Sequence, residues 1–251
     1  MKGSSLEACG CFPTGRHYAG IAHLLRAVVR GLVEQFSGDA PWVDLPIAVI
    51  DVETTGRDAS ADRVIEVGLA IARGGELVER KNWLLNPGRP IPPEASEVHK
   101  ITDDDVKNAP PFSAMAREIM AALVDCVPAA YNAAFDRAFL VSEVARAGLA
   151  SEVQPPALRR DVEWIDPLVW ARELQQEERS RTLGEVAARL GIAVGTAHRA
   201  SDDAEAALRV LLALGRDPRV PSAYGALLRE QRRLALDQAD ERRLKWRFSG
   251  A

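Results

Sequence analysis

Cysteine is scarce in this chain, aromatic side chains are few, and no long apolar run occurs. The three cysteines among 251 residues, Cys9, Cys11 and Cys126, cannot all pair with one another. That excludes a disulfide framework and makes a reducing, cytoplasmic compartment the expectation. Cys9-Gly10-Cys11 is not followed by a second Cys or His pair at zinc spacing, so a structural zinc site is not expected. The opening MKGSSLEACGCF lacks the apolar core of a secretory leader. Ile21 to Phe36 is interrupted by Arg26, Arg30 and Glu34, too short and too charged to span a bilayer, so no membrane partner is expected. Repeats and low-complexity tracts are also missing. With 47% hydrophobic and 27% charged residues, the chain is patterned for a packed core rather than disorder.

An excess of positive charge is missing as well. The net charge is −4, which argues against a protein that merely coats a polyanion. The distribution is uneven, however. Residues 1–46 are neutral, residues 47–215 carry −8 and residues 216–251 carry +4. The basic tail reads either as a solvated helix or as a polyanion contact.

These three segments also differ in pattern. Over residues 17–36, Ile21, Leu24, Leu25, Val28, Val29, Leu32, Val33 and Phe36 fall at helical spacing. They predict an amphipathic helix that packs on the main domain or offers a homodimer or partner surface. Pro41 and Pro46 bracket a linker. Ile47–Ile50 then reads as a buried strand. In Val64–Arg73, Ile65, Val67, Leu69 and Ile71 share one face of a strand, and Gly74-Gly75 turns the chain into a returning strand, Glu76–Leu85. Pro87–Pro93 reads as a loop. Helices are expected over Phe112–Val124 and Phe135–Ala147, with short strands at Pro128–Tyr131 and Asp161–Ile165. Pro167 suits the first turn of a further helix. Thr182 and Glu185 form a capping box for a helix ending at Gly191. Asp202 and Glu205 resemble a cap for the next, whose buried stripe is Ala204, Ala207, Leu208, Leu211 and Leu212. Strands first and alternating helices and strands afterwards make an α/β fold with a mixed sheet. Trp83, Trp164 and Trp170 lie in apolar-patterned segments and are assigned to the core, as are Phe135 and Phe139 as supports behind Asp136.

Chemistry concentrates in the carboxylates. Asp51 and Glu53 end the first strand, and period two places both on one face. Two such charges repel, and burying them is costly unless a cation intervenes, so the pair is a hard-metal ligand set or a proton-sharing dyad. Oxygen-only ligands suit Mg²⁺ or Mn²⁺. Thr54-Thr55-Gly56 follows, and small residues with glycine let the backbone approach a ligand. Asp136 stands after Asn132-Ala133-Ala134-Phe135 at a strand-to-helix junction, and Asp203 lies in a helix first turn after His198. Taken singly, each of these two aspartates is explained by the helix dipole, which for Asp203 alone is the favoured reading.

In chain order, IDVETTG, YNAAFDRAFL and HRASDDA, with His198 five residues before Asp203, resemble the DnaQ-like 3′–5′ exonucleases, in the branch marked DEDDh. The stretch NPGRPIPPEASEVHKIT is similar to the proofreading subset of that family. The likeness covers about residues 47–214 and implies an RNase H-like fold, a central mixed sheet flanked by helices. The N-terminal helical extension (1–46) and the basic helical tail (216–251) have no counterpart in the family core. The resemblance implies Asp51, Glu53, Asp136 and Asp203 as ligands of two divalent cations, with Asp51 shared between them, and His198 as general base. It places Thr54, Thr55 and Gly56 against the 3′-terminal nucleotide, with Tyr131, Asn132 and Phe135 beside it. It puts His99 in a structural or substrate-proximal loop. Tyr131 stands where proofreading members often carry His, and Lys100 where Gly is common. The implied activity is hydrolysis of nucleic-acid 3′ ends, DNA before RNA, to nucleoside 5′-monophosphates, as a stand-alone enzyme or beside a DNA polymerase. The alternatives are an RNA-trimming exonuclease of the same branch and a non-catalytic polymerase-docking or nucleic-acid-binding module.

Overall fold

The structure is a computed structural model, and it describes residues 31–195 and 199–249. Four strands form its sheet: β1 (Ile47–Thr54), β2 (Val64–Arg73), β3 (Glu76–Leu84) and β4 (Val127–Ala129). Their spatial order is β3-β2-β1-β4. β1 and β3 both pair antiparallel with β2, and β4 runs parallel to β1, so the sheet is mixed as expected. The helices are α1 (Pro93–His99), α2 (Asp103–Val106), α3 (Phe112–Ala122), α4 (Ala133–Arg146), α5 (Pro167–Leu174), α6 (Leu183–Arg189), α7 (Ala200–Leu214) and α8 (Tyr224–Ser249).

Alternation along β1 sorts the core into two layers. Ile47 and Val49 point into one apolar cluster, shared with Ala70, Leu208, Leu211 and the tryptophans Trp42 and Trp170. Ala48, Ile50 and Val52 point into the other, with Phe112, Ile119, Phe139 and Trp164. α7, α5 and α8 cover the first face, and α3 and α4 cover the second. β2 is buried on both faces except at Arg73, as a central strand should be. β3 is the exposed edge, and Glu79, Arg80 and Lys81 guard it against further pairing.

Several sequence expectations are corrected. Asp161–Ile165 is not a strand. It touches the sheet through a single parallel bridge from Ile165 to Ala129, because Pro167 begins a helix two residues later. The loop expected over Pro87–Pro93 ends one residue earlier, since Pro93 opens α1 at a position where its missing N–H costs nothing. The helix expected over 17–36 does not extend through its last residues. Gly31 adopts φ +94° and bridges Val162, and a turn follows, with the Phe36 amide on the Val33 carbonyl at 3.0 Å. Leu32 and Val33 are nonetheless buried in the core. The rest of that segment lies outside the described residues. The basic tail is more than a solvated helix: Tyr224, Leu227, Leu228 and Leu234 of α8 are core residues. Among the described residues no helix is long and apolar enough to cross a membrane.

Candidate active site

Asp51 and Glu53 continue the face of β1 that carries Ile47 and Val49, so they emerge towards α7. Asp203 sits in the first turn of α7. One carboxylate oxygen from each of the three lies within 4.8 Å of the others. What seats α7 there is the partner strand. Asp51 pairs with Gly68 and Glu53 with Glu66 in the β1–β2 register. A Cβ on Gly68 would collide with the backbone of Ala200 and Ser201, so only glycine lets the helix start this close to the sheet. Glu66 is 0% exposed and ties the same point down. Its Oε1 accepts from Arg199 Nη2 at 2.7 Å and Asn82 Nδ2 at 2.8 Å, and its Oε2 accepts from the Ala200 amide at 3.0 Å. The sequence reading passed over Glu66 and Gly68. Their signal was an acidic residue and a glycine on the second face of a strand whose first face is wholly apolar.

Asp136 is 3% exposed, and its Oδ1 accepts from the Val52 amide at 3.1 Å. It stands outside the three-carboxylate group but close enough to raise the Asp51 pKa. Burial, then the charges of Asp136, Glu53, Asp203 and Glu66, push Asp51 well above the usual carboxylate range. Burial, with Asp203 and Glu66 adding to it, lifts Glu53 to about 8, while Arg199 opposes the rise. Burial also raises Asp136, against the pull of the Val52 amide. A set of anionic oxygens that resists ionisation without a counter-charge is chemically suited to a hard divalent cation. Asp51, Glu53 and Asp203 fit one, with Asp136 adjoining.

Beside this group lies a cavity of about 710 Å³. It brings together Glu53, Thr54, Thr55, Gly56, His99, Asn132 and Phe135. The threonine hydroxyls hold the turn: Thr54 Oγ1 donates to the Gly56 carbonyl at 2.6 Å, and Thr55 Oγ1 accepts from the Arg63 amide at 3.0 Å. A Cβ on Gly56 would displace the Asp62 carboxylate, which accepts from the Asp58 amide at 2.9 Å. Phe135 packs on Phe139, ring centroids 4.8 Å apart. His99 is 2% exposed at the end of α1, and its Nδ1 accepts from the Ile101 amide at 3.0 Å. Lys100, just beyond it, adopts φ +61°, the region where glycine is least strained.

Tyr131 is placed elsewhere. Its hydroxyl donates to the Arg181 carbonyl at 2.6 Å, and it lines a second cavity that also reaches Asn132. His198 lies outside the described residues. Asp202 is not a cap, since Arg199 occupies that position. It forms an ion pair with Arg80 of β3, which also holds Glu205 at 2.8 Å. Asp166 is a further residue the sequence reading missed. Its carboxylate accepts from the amides of Asn132 (3.0 Å), Ala133 (3.2 Å) and Leu168 (2.9 Å). It therefore fixes both the left-handed turn at Asn132 and the start of the helix bearing Asp136. The visible clue is Asp before Pro, a helix-opening pair. Gln231 of α8 accepts from the Asp166 amide at 2.8 Å, so the tail helix supports the site from behind.

Residues 48–211 match the exonuclease family of the RNase T type. Among curated proteins, the DNA polymerase III PolC-type of Streptococcus pneumoniae is 34% identical over 184 residues, covering 73% of this chain and 12% of that protein. The corresponding protein of Thermotoga maritima is 31% identical over 193 residues, covering 77% of this chain and 14% of its own length. The chain thus spans about an eighth of these relatives. Two solved structures share the fold. One is exonuclease X in complex with 5′-overhanging duplex DNA, with TM-score 0.55 and 22% identity over 72% of this chain and 98% of that one. The other is Escherichia coli exonuclease I with a dT13 oligonucleotide, with TM-score 0.59 and 19% identity over 70% of this chain and 42% of that one. With an RNase H-like sheet, an acidic cluster at the end of β1 and a family match over most of its length, the chain belongs to the DnaQ-like 3′–5′ exonucleases.

Proposed function

We propose that this chain is a metal-dependent exonuclease of the histidine-bearing branch, acting on single-stranded DNA 3′ ends and releasing nucleoside 5′-monophosphates. One observation carries the reading. Asp51, Glu53 and Asp203, drawn from β1 and α7, meet beside a cavity walled by Thr54, Thr55, Gly56 and Phe135. Asp51, Glu53, Asp136 and Asp203 would hold two divalent cations, Mg²⁺ or Mn²⁺. Bound there, such ions supply an activated water and neutralise charge on a phosphodiester.

The rest is done by the protein. The Thr54–Gly56 backbone and the Phe135 ring enclose the terminal nucleoside, and Asn132 marks the opening towards the rest of the strand. His198 takes the proton of the attacking water, a role that suits imidazole because its ordinary pKa lies near neutrality. DNA is favoured because the curated relatives are DNA polymerases and the solved neighbours were captured with DNA. The same relatives support a proofreading role beside a polymerase. A docking module gains nothing from clustered carboxylates that repel one another.

The test is product analysis on 5′-labelled and 3′-labelled single-stranded DNA and RNA, with Mg²⁺ or Mn²⁺ against chelator. Mononucleotide release from the 3′ label and a one-nucleotide ladder from the 5′ label are expected, faster on DNA. Internal cuts, or no metal-stimulated release, would overturn the reading. Replacing His198 by Ala should slow turnover by about 10²–10⁴-fold and remove the rising acid limb of the pH–rate profile.

A further inference from the structure

A second, larger cavity, about 940 Å³, has Asn132 in common with the first. Its walls are α5, the 176–183 segment and α8, and it meets the first cavity at Asn132, which lines both. Four guanidiniums line it, Arg172 from α5, Arg179 and Arg181 from the intervening segment and Arg242 from α8. None of them is in an ion pair among the described residues, although Glu173, Glu177 and Glu241 share the same walls. Arg172 is half-buried, and burial together with the like charge of Arg242 pulls its pKa below the ordinary arginine value. Four guanidiniums against three carboxylates leave the recess net positive, which suits an anionic ligand. Arg181 Nη2 holds the carbonyls of Gln175 and Gln176, both at 2.6 Å, while its buried Nε has no partner among the described residues.

We propose that this arginine-lined groove carries the sugar–phosphate backbone of the single strand upstream of its 3′ end, with α8 as the outer wall. The proposal rests on the nuclease reading above, because Asn132 links the groove to the nucleotide cavity. Guanidiniums suit phosphodiester oxygens through planar, multiple hydrogen bonding. The basic tail thereby acquires a role that whole-chain charge concealed: Arg242 places positive charge beside the strand, while Leu227, Leu228 and Leu234 anchor the helix.

The test uses the full chain and the double variant Arg172→Gln, Arg242→Gln. Two substrates are compared: the p-nitrophenyl ester of thymidine 5′-monophosphate, which needs only the first cavity, and a dT20 strand. The ester should be hydrolysed within twofold of the native rate. For dT20, KM should rise at least about tenfold, and the slope of log affinity against log salt should fall by about 1.4, roughly 0.7 per lost phosphate contact. Unchanged KM and slope for dT20 would overturn the proposal, as would an equal loss on both substrates. If the native chain hydrolyses neither substrate, the nuclease reading fails on its own. Fluorescence anisotropy of labelled dT20 in chelator then still judges the groove: weaker binding by the double variant upholds it, and equal binding overturns it.

Discussion

Replacing Gly68 by alanine adds one methyl group far from any reacting atom, yet the geometry makes it a severe change. The new Cβ would overlap the Ala200 carbonyl group and the Ser201 amide nitrogen, where ordinary contact begins near 3.4 Å. Neither is the tip of a flexible side chain. They are backbone at the start of α7, clamped by Glu66 through Arg199 and the Ala200 amide. Relief therefore requires the helix to retreat by about 1 Å or more, taking Asp203 with it. Overpacking of this kind costs about 1–3 kcal/mol of stability. A misplacement of about 1 Å in a catalytic constellation costs about 10²-fold in rate. The variant should thus fold, melt several degrees lower and lose about two orders of magnitude in kcat. The Mn²⁺ concentration for half-maximal activity should rise, because one ligand has moved from the other two. Thermal melting, steady-state turnover on dT20 and calorimetric Mn²⁺ titration measure the three. Turnover within threefold of native, with unchanged Mn²⁺ affinity, would refute the claim that Gly68 sets the distance between α7 and β1.

Asp51→Ala and Asp203→Ala should each abolish nucleotide release while leaving the circular dichroism spectrum native; residual release near the native rate would sink the ligand assignment. In the metal-free protein, the Glu53 carboxyl is lifted from its ordinary 4.5 to about 8, so the folded state binds the proton more tightly than the unfolded state. The stability this confers is complete below about pH 4.5 and is lost as pH rises to about 8. Metal-free melting temperature should fall across that window, and saturating Mg²⁺ should flatten the fall; a metal-free curve that rises throughout the window would contradict it. Lys100→Gly relieves a left-handed backbone at the end of α1. It should raise stability by about 0.5–1 kcal/mol, the relief of strain being partly offset by glycine's chain entropy; urea denaturation showing a loss would refute this.

The legible part of this protein is the part encoded by neighbours in the chain. Asp51 and Glu53 share a face because a strand repeats every two residues, and Asp203 belongs to a first turn because an alanine- and leucine-rich stripe follows it. The apolar run of β1 and the alternation in β2 likewise predicted a sheet, and the order of the four carboxylates predicted the family. Asp161–Ile165 misled because apolar content alone does not distinguish a strand from a buried bridge ahead of a helix. Asp202 misled because a carboxylate at a helix start suits a cap as well as an ion pair, and only the proximity of Arg80 decides.

What needed the tertiary structure is everything that joins residues far apart. Glu66 reads as one charged position on a strand until Arg199 and Ala200, more than 130 residues on, are found against it. Asp166 reads as the first half of Asp-Pro until the Asn132 and Ala133 amides close on it from another element. The arginine groove belongs to no local pattern, since Arg172 and Arg242 lie on helices separated by most of the C-terminal third of the chain. Periodicity and motif order depend on bond geometry within a few residues, so they are written in the chain itself. The separation of carboxylates, the seating of α7 and the gathering of unpaired guanidiniums depend on how the layers pack, and packing is settled only when the whole core is assembled.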